Sequence, residues 1–214
     1  MRIGILGTGM VGQTIGTRLT QLGHDVRMGS RAEGNEKSAA WVLKTGPRAS
    51  NGTFADAAAF GEMIFNCTSG QASIAALKAA GEKNLSGKVL IDVANPLDTS
   101  KMPLPELSIC NDDSLAERIQ RQFPRARVVK SLNTMNCQVM VEPKRVSGEH
   151  DVFVCGNDPE AKASVKELLR ELGWEHIIDV GDITAARGLE MLLPLWLRLM
   201  VSFKSPQFNF HIAR

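Results

Sequence analysis

The first residues that can carry chemistry form a glycine-rich loop between a short apolar run and a helical pattern. The loop reads Gly7-Thr8-Gly9-Met10-Val11-Gly12. In this arrangement the first glycine permits a tight turn, the second lets the backbone approach a pyrophosphate, and the third allows close packing of helix on strand. The start of the following helix offers free N–H groups and a positive dipole to phosphates. The loop predicts dinucleotide binding, with an ordinary glycine-rich turn as the alternative.

The end of the second predicted strand discriminates between the two nicotinamide dinucleotides. An acidic residue at this place would bind the ribose 2′-hydroxyl of NAD, but this chain has Gly29-Ser30-Arg31. Ser30 can donate a hydrogen bond to a 2′-phosphate, and Arg31 can donate a charge-assisted one. We therefore predict NADP(H) rather than NAD(H) as the cofactor. A solvated loop charge is the alternative interpretation of Arg31.

Small polar residues follow three later strands of the pattern. They are Thr68 and Ser69, Asn95 with Pro96, and Asn133 with Thr134. In a doubly wound sheet the carboxyl ends of the strands lie at the edge where ligands bind, so this set can line a dinucleotide and its nicotinamide. Asn95 and Asn133 can bind an amide or a ribose hydroxyl. Turn chemistry is the alternative for each residue, since Asn-Pro and Ser-Gly are common in loops.

Hydrophobic periodicity supplies the frame that positions these residues. Short apolar runs predict strands over residues 2–6, 24–28, 63–67, 88–93, 127–132, 151–155 and 174–179, with helical faces between most of them. The repeated strand–helix units predict an α/β Rossmann fold with a doubly wound, mostly parallel sheet. Because no strong helical face lies between residues 132 and 151, we expect the strand at 151–155 to pair antiparallel with a neighbour.

The pattern divides the chain into two parts. Residues 1–181 are predicted to form an NADP-binding Rossmann domain, and residues 182–214 a C-terminal helical segment. Pro194 is predicted to kink or restart the helix of that segment. Apolar side chains cover nearly all sides of residues 189–203, which predicts burial in the fold or in a partner. We assign the acceptor site to this segment and predict a homodimer that uses it.

Composition excludes several classes of function. The 214 residues carry a net charge of +2 and 5% aromatics, which argues against nucleic-acid binding and a membrane-surface protein. The most apolar stretch, residues 189–203, is too short and too often interrupted to span a membrane. Four scattered histidines predict no metal site. Four cysteines without a CxxC pair are interpreted as free thiols of a cytoplasmic protein.

The sequence also lacks an obvious acid–base catalyst. It contains no Tyr, so the usual acid of short-chain dehydrogenases is absent. Hydride transfer between two flat cofactors needs mainly stacking and positioning, so we expect no essential acid or base. Asn133 is the candidate catalytic residue, with the role of orienting the carboxamide or the acceptor.

Several segments together resemble a known family. They are residues 2–12, Gly29-Ser30-Arg31, Asn95-Pro96, residues 128–134, and the C-terminal residues 182–199 and 208–210. The sequence is similar to the NADPH-dependent deazaflavin-coenzyme reductases, the F420:NADP oxidoreductase family. It is also similar to the cytosolic oxidoreductase domain of the six-transmembrane metalloreductases.

This resemblance implies how a cofactor is held. It implies phosphate contacts for Thr8, Met10 and Val11, a 2′-phosphate site at Ser30 and Arg31, and positions along the cofactor for Thr68, Ser69 and Asn133. It further implies that a second cofactor stacks on the nicotinamide under the C-terminal helices.

The leading hypothesis is an NADP(H)-dependent oxidoreductase that moves hydride between the nicotinamide and a deazaflavin, a flavin or a small acceptor. A non-catalytic NADPH-binding redox sensor is an alternative, because missing acid–base residues fit it equally well. A compact imine- or pyrroline-type reductase is a further alternative, since such enzymes begin with the same kind of fold.

Overall fold

One large β-sheet organises the chain, and the computed structural model describes it together with the other elements of residues 1–100 and 103–214. The strands are β1 (Arg2–Leu6), β2 (Asp25–Ser30), β3 (Ala49–Thr53), β4 (Met63–Asn66), β5 (Val89–Asp92), β6 (Leu97–Asp98), β7 (Glu106–Leu107), β8 (Arg127–Ser131), β9 (Asp151–Cys155) and β10 (His176–Asp179). The helices are α1 (Met10–Gln21), α2 (Glu36–Thr45), α3 (Phe54–Phe60), α4 (Gly70–Ala80), α5 (Glu82–Leu85), α6 (Leu115–Gln122), α7 (Cys137–Val141), α8 (Pro159–Glu171) and α9 (Ala186–Phe203).

The strand order confirms the fold class predicted from the sequence. Within the described residues, eight strands form the sheet in the order β10-β9-β8-β5-β4-β1-β2-β3, and β6 pairs with β7 in a separate hairpin. Neighbours in the large sheet are parallel except β8 and β9, which confirms the antiparallel pairing predicted for the strand at 151–155. The strand order reverses between β1 and β4, and at such a point the carboxyl ends of the strands open a crevice.

The sequence pattern does not predict β3, which lies at the edge of the sheet beside β2. Its only apolar side chain is Ala49, and the rest of the strand is Ser, Asn, Gly and Thr. Neither an apolar run nor an apolar–polar alternation therefore marks it. The strand β2 also continues to Ser30 rather than ending at residue 28, because its pairing with β3 extends through Thr53.

Helices cover both faces of the sheet, as a doubly wound fold requires. One apolar cluster joins the sheet to α1, α2, α7 and α8, and a second joins it to α3, α4, α5, α6 and α9. The helix faces inferred from periodicity are buried, including Ile15 and Leu19 of α1 and Val165 and Leu168 of α8. Burial of an aliphatic side chain of this size stabilises the fold by about 1.5–3 kcal/mol.

The C-terminal segment begins with a 3₁₀ turn at Ile183–Ala185 and continues as α9, which runs through Pro194 without restarting. The chain itself buries one face of this helix, including Leu189, Leu193 and Trp196. The opposite face stays exposed, with Leu195 50% accessible. Among the described residues, no helix is both long enough and apolar enough to cross a membrane.

The tail after α9 turns back onto the fold. The ring of Phe208 stacks on Trp196 with centroids 5.4 Å apart. The backbone N–H of Asp151 donates to the carbonyl of Phe210 at 2.8 Å, and Asn209 Nδ2 donates to the carbonyl of Asp151 at 2.8 Å. The tail is therefore fixed at the first residue of β9.

Candidate dinucleotide-binding site

A groove of about 400 Å³ opens at the carboxyl edge of the sheet, beside the switch point between β1 and β4. The loop after β1, the end of β2, the loop after β4 and a row of alanines on α4 form its walls. The predicted site residues that line it are Gly7, Thr8, Gly9, Arg31, Thr68 and Ser69. Three segments that are distant in sequence therefore meet in one place; of the three later strand ends singled out from the sequence, only the one with Thr68 and Ser69 lines the groove.

The glycines of the loop after β1 have different structural roles. Gly7 has a φ of +120°, and an added Cβ would lie 2.6 Å from the carbonyl oxygen of Cys67, so only glycine fits without strain. An added Cβ at Gly12 would collide with the carbonyl oxygen of Gly7. Nothing lies within 4 Å of the Cβ position of Gly9. The surface above Gly9 is thus open to a ligand that approaches the backbone.

The first turn of α1 presents polar backbone groups beside this opening. Gly9 is the N-cap, and no side chain caps the helix. The N–H of Gln13 donates to the carbonyl of Gly9 at 3.0 Å, and the N–H groups before it have no helical acceptor. These N–H groups and the helix dipole fit a pyrophosphate. Met10 is 71% exposed, whereas Val11 is half-buried.

The two residues predicted to hold a 2′-phosphate differ in their surroundings. Arg31 is exposed, lines the groove, and makes no hydrogen bond or ion pair with the described residues. Ser30 is 3% exposed, and its hydroxyl donates to the carbonyl of Ala32 at 2.5 Å. A phosphate dianion accepts hydrogen bonds, so Ser30 would have to turn its hydroxyl away from Ala32 in order to bind one.

Thr68 and Ser69 lie where the chain passes from β4 into α4. Thr68 Oγ1 donates to Asn66 Oδ1 at 2.7 Å and lies 3.0 Å from Ser73 Oγ. Ser69 is the N-cap of α4 and is exposed, and its side chain makes no capping hydrogen bond. Gly70 follows, and an added Cβ there would collide with the carbonyl oxygen of Asn95. This close approach joins the ends of β4 and β5.

Asn95 and Asn133 hold each other across the ends of β5 and β8. Asn133 Nδ2 donates to Asn95 Oδ1 at 2.9 Å, and Asn95 Nδ2 donates to the carbonyl of Asn133 at 2.8 Å. Asn133 Nδ2 also donates to the carbonyl of Leu189 on α9 at 3.0 Å. Asn133 Oδ1 accepts no hydrogen bond from the described residues. The pair therefore connects two strand ends with the C-terminal helix.

The remaining predicted residues lie outside the lining of the groove. Pro96 is buried, and its carbonyl accepts hydrogen bonds from the backbone N–H and the hydroxyl of Ser108. Thr134 is 2% exposed, as is Asn133. Pro96, Asn133 and Thr134 are therefore buried rather than open to solvent.

A buried ionic cluster supports the strand ends. Lys130 Nζ lies 2.8 Å from both an Asp92 carboxylate oxygen and a Glu190 carboxylate oxygen, and none of the three side chains is more than 1% exposed. Lys130 also donates to the carbonyl of Ala94. Burial alone would lower the pKa of Lys130, but the two carboxylates outweigh burial and raise it above its ordinary value. Burial raises the pKa of Glu190.

The two carboxylates connect this cluster to different parts of the fold. Glu190 accepts hydrogen bonds from the N–H groups of Leu115 at 2.8 Å and Ala116 at 3.2 Å, the first residues of α6. Asp92 accepts from Asn66 Nδ2 at 2.7 Å. The helix dipole of α6 stabilises the Glu190 carboxylate. The cluster thereby fixes β4, β5, β8, α6 and α9 relative to one another.

This cluster is not predicted by the hydrophobic periodicity, although the sequence contains a signal for it. Lys130 interrupts the apolar run Val128-Val129, Asp92 follows Leu90-Ile91, and Glu190 lies among the leucines of the C-terminal segment. Charged residues are almost never fully buried unless they are paired. Three charged residues that directly follow or interrupt runs of apolar residues therefore indicate a buried ionic network.

The cysteines and the groups that could bind a metal show no sign of a further reactive site among the described residues. All four cysteines are free thiols. Burial raises the pKa of the Cys67 thiol beside the groove well above its ordinary value, so this thiol is unreactive at neutral pH. Among the residues that the structure describes, no three His, Cys, Asp or Glu side chains are arranged to hold a metal ion.

Comparison with known proteins identifies the family. The sequence profile of the family "NADP oxidoreductase coenzyme F420-dependent" matches residues 2–96, the N-terminal part of the chain that contains the groove. The chain is 30% identical to the F420-dependent NADP reductase of Methanocaldococcus jannaschii, over 96% of this chain and 95% of that protein. The chain belongs to the F420-dependent NADP reductase family. It is an NADP-dependent oxidoreductase of that family.

Two further relatives fit this assignment. A protein of Arthrobacter sp. FB24 that was assigned to the F420-dependent NADP reductases is 50% identical, and its crystal structure superposes with a TM-score of 0.94 over 99% of both chains. Metalloreductase STEAP3 of Rattus norvegicus is 30% identical over 96% of this chain. The chain spans only 38% of the length of that metalloreductase.

Proposed function

We propose that this member of the F420-dependent NADP reductase family transfers hydride between NADP(H) and a deazaflavin, with a flavin or a small acceptor as the alternatives. The similarity to the M. jannaschii enzyme over nearly the full length of both chains carries the proposal. That relative is named for coenzyme F420, and the family profile carries the same name. A deazaflavin is therefore the first acceptor to test.

The groove supports a specific pose for NADP(H). The pyrophosphate would lie over Gly9 and the first turn of α1, where the surface is open and N–H groups are free. The 2′-phosphate would face Arg31, whose charge has no partner among the described residues. Thr68 and Ser69 would lie along the dinucleotide on its way toward the end of β5. Ser30 would contribute only after its hydroxyl leaves the carbonyl of Ala32.

Bound NADPH would supply the hydride from the C4 position of its nicotinamide. We assign to Asn133 the role of orienting the carboxamide, because Asn133 Oδ1 accepts no hydrogen bond from the described residues; since Asn133 is buried outside the groove lining, the end of β8 would have to become accessible when the nicotinamide binds. The Nδ2 atom of Asn133 is already used by Asn95 and Leu189, so the side chain is held in a fixed orientation. A preorganised acceptor of this kind costs no reorganisation during the reaction.

The C-terminal segment, residues 182–214, would cover the acceptor. Its helix α9 begins at the ends of β5 and β8, where Leu189 is bound to Asn133 and Glu190 to Lys130. The inner face of α9 is apolar, with Leu189, Leu193 and Trp196 buried. An apolar cover excludes water, which strengthens the electrostatic contacts beneath it.

The outer face of α9 supports a homodimer. Met191, Leu195 and Val201 are 39%, 50% and 57% exposed and form an apolar stripe on the outer side of the helix, where the exposed Arg198 and Ser202 also lie. A monomeric surface helix usually shows a polar face toward solvent. We infer that a second copy of the chain covers this stripe.

We also infer that the protein works in the cytoplasm. All four cysteines are free thiols, which is typical of a reducing compartment.

A panel of acceptors tests the proposed function. Purified protein would be mixed with NADPH and, in turn, the deazaflavin coenzyme, FMN, FAD, riboflavin and a ferric chelate, with NADH as the control donor. Rapid oxidation of NADPH with the deazaflavin is the expected result. Tight NADPH binding without turnover on any acceptor would instead favour the redox-sensor hypothesis. Equal use of NADH would contradict the role of Arg31.

A further inference from the structure

A second groove lies on the flank of the molecule, between α1, α2 and α7. It encloses about 400 Å³ and shares no lining residue with the dinucleotide groove. We call it the basic groove and define it by Gln13, Arg18, Trp41, Lys44, Gln138 and Arg145. The proposed hydride transfer uses none of these side chains.

The basic groove carries uncompensated positive charge. Three cationic side chains line it, and Glu142 is the one carboxylate among its described lining residues. Glu142 is already paired with Arg145 at 2.6 Å. Arg18 and Lys44 make no ion pair with any described residue. Two positive charges on adjacent helices therefore face the same cavity without an anion.

Arg18 also has an unsatisfied donor. Its Nε atom is buried and has no hydrogen-bond partner among the described residues. Buried polar groups in folded proteins are nearly always hydrogen-bonded, and each exception calls for an explanation such as an ordered water or ion. A guanidinium offers five N–H donors in a planar fork that matches a carboxylate or a phosphate. The other N–H groups of the half-buried Arg18 guanidinium also make no hydrogen bond with the described residues, so they are available to a ligand with acceptor oxygens.

The other lining groups suit such a ligand. The side-chain amide of Gln138 makes no hydrogen bond with the described residues, so its NH₂ group is available to donate. Trp41 Nε1 donates to Thr17 Oγ1 at 3.0 Å, which holds the indole in place at the wall of the groove. The groove therefore combines charge, free amide donors and a rigid aromatic wall.

We propose that the basic groove is a second ligand site, which binds a small organic oxyanion through Arg18 and Lys44. Carboxylates and phosphates share the required chemistry, since both are anionic and both accept forked hydrogen bonds from a guanidinium. The site is separate from the dinucleotide groove, so it can be occupied while NADP(H) is bound.

Isothermal titration calorimetry with citrate and with inorganic phosphate tests the proposal. The protein would first be saturated with NADP⁺, so that neither probe can bind at Gly9 or Arg31. Sodium chloride would hold the ionic strength constant. We expect saturable one-site binding of at least one probe, with a Kd of about 1 mM or tighter. Tighter binding of phosphate would indicate that the natural ligand is phosphorylated, and tighter binding of citrate would indicate a polycarboxylate. Either result would support the proposed site.

Matched variants decide where the probe binds. Arg18→Gln and Lys44→Gln, which lie on different helices, should each weaken binding about tenfold. Lys78→Gln on α4 removes an exposed lysine far from the basic groove and should change nothing. Circular dichroism and NADP⁺ affinity show that each variant is folded. The absence of saturable binding by both probes up to about 10 mM, or unchanged affinity in both groove variants, would overturn the proposal.

Discussion

Lys130 Nζ lies 2.8 Å from the Glu190 carboxylate, and this buried ion pair joins the end of β8 to the C-terminal helix. The next residue toward the N-terminus of the helix, Leu189, accepts a hydrogen bond from Asn133. The position of Asn133 relative to α9 is therefore fixed by two independent contacts. A catalytic role for Asn133 would depend on both.

The ion pair gives a prediction for stability. In Lys130→Met, Asp92 and Glu190 lose their shared cation while both remain buried, so the variant should lose about 3–5 kcal/mol of unfolding free energy. Chemical denaturation measures this loss. Glu62→Gln removes the exposed partner of Arg2 and should leave the free energy of unfolding nearly unchanged, because solvent screens an exposed ion pair. Equal effects of the two substitutions would contradict the assignment of a structural role to the buried cluster.

Arg31 should control the choice between NADPH and NADH. Arg31→Gln removes the free cation of the groove, so the KM for NADPH should rise by about tenfold or more. The KM for NADH should hardly change, because NADH has no 2′-phosphate. Steady-state kinetics with both donors measures the ratio. Lys37→Gln, on the exposed side of α2, is the matched control and should leave the ratio unchanged.

Ser30→Ala distinguishes between two positions of the Ser30 hydroxyl. If the hydroxyl stays on the carbonyl of Ala32 when the cofactor binds, the preference for NADPH should survive the substitution. A drop as large as that in Arg31→Gln would show that the hydroxyl turns toward the 2′-phosphate. The KM values for NADPH and NADH in the Ser30→Ala variant therefore distinguish between the two positions of the hydroxyl.

Asn133 should affect turnover more than cofactor binding. Asn133→Ala removes the Oδ1 acceptor and the contacts to Asn95 and Leu189, so kcat should fall by about tenfold to a hundredfold. Asn95→Ala removes one partner of Asn133 but leaves Oδ1 in place, and its effect on kcat should be smaller. Unchanged turnover in Asn133→Ala would remove the orienting role.

Asp158 should make stability depend on pH in the acid range. Hydrogen bonds from Arg127 lower the pKa of Asp158 to about 2. Because the folded pKa lies below the unfolded value, the stabilisation is complete above about pH 4 and disappears as the pH falls toward 2. The pair is about one-third exposed, so solvent screening limits its contribution to about 1 kcal/mol. The difference in unfolding free energy between the wild type and Asp158→Asn should therefore vanish near pH 2.

The exposed stripe on α9 predicts the oligomeric state. Size-exclusion chromatography with light scattering should give twice the 23.3 kDa mass of one chain. Leu195→Glu places a charge in the middle of the stripe and should produce a monomer. A wild-type protein that elutes at the mass of one chain would contradict the homodimer.

The sequence predicts the strands of the sheet better than the side-chain contacts of the candidate site. Regular apolar runs predict β1, β4, β5 and β8. The rule that strand ends share an edge predicts a common position for Thr68, Asn95 and Asn133, but of these only Thr68 lines the groove. The strand β3 is missed because edge pairing needs no apolar pattern. The direction of the Ser30 hydroxyl and the pairing of Lys130 with Asp92 and Glu190 depend on tertiary contacts, which no local pattern encodes.

The mutual hydrogen bonds of Asn95 and Asn133 have a consequence for chimeric proteins. Each side-chain amide fixes the orientation of the other residue, and Asn133 also donates a hydrogen bond to the backbone carbonyl of Leu189 on α9. A C-terminal helix taken from a relative could still accept the hydrogen bond from Asn133, which goes to a backbone carbonyl, but it would leave Lys130 without a carboxylate unless it carried an acidic residue at position 190. Exchange of acceptor preference by grafting should succeed only when the grafted helix carries that acidic residue or Lys130 is exchanged together with the helix.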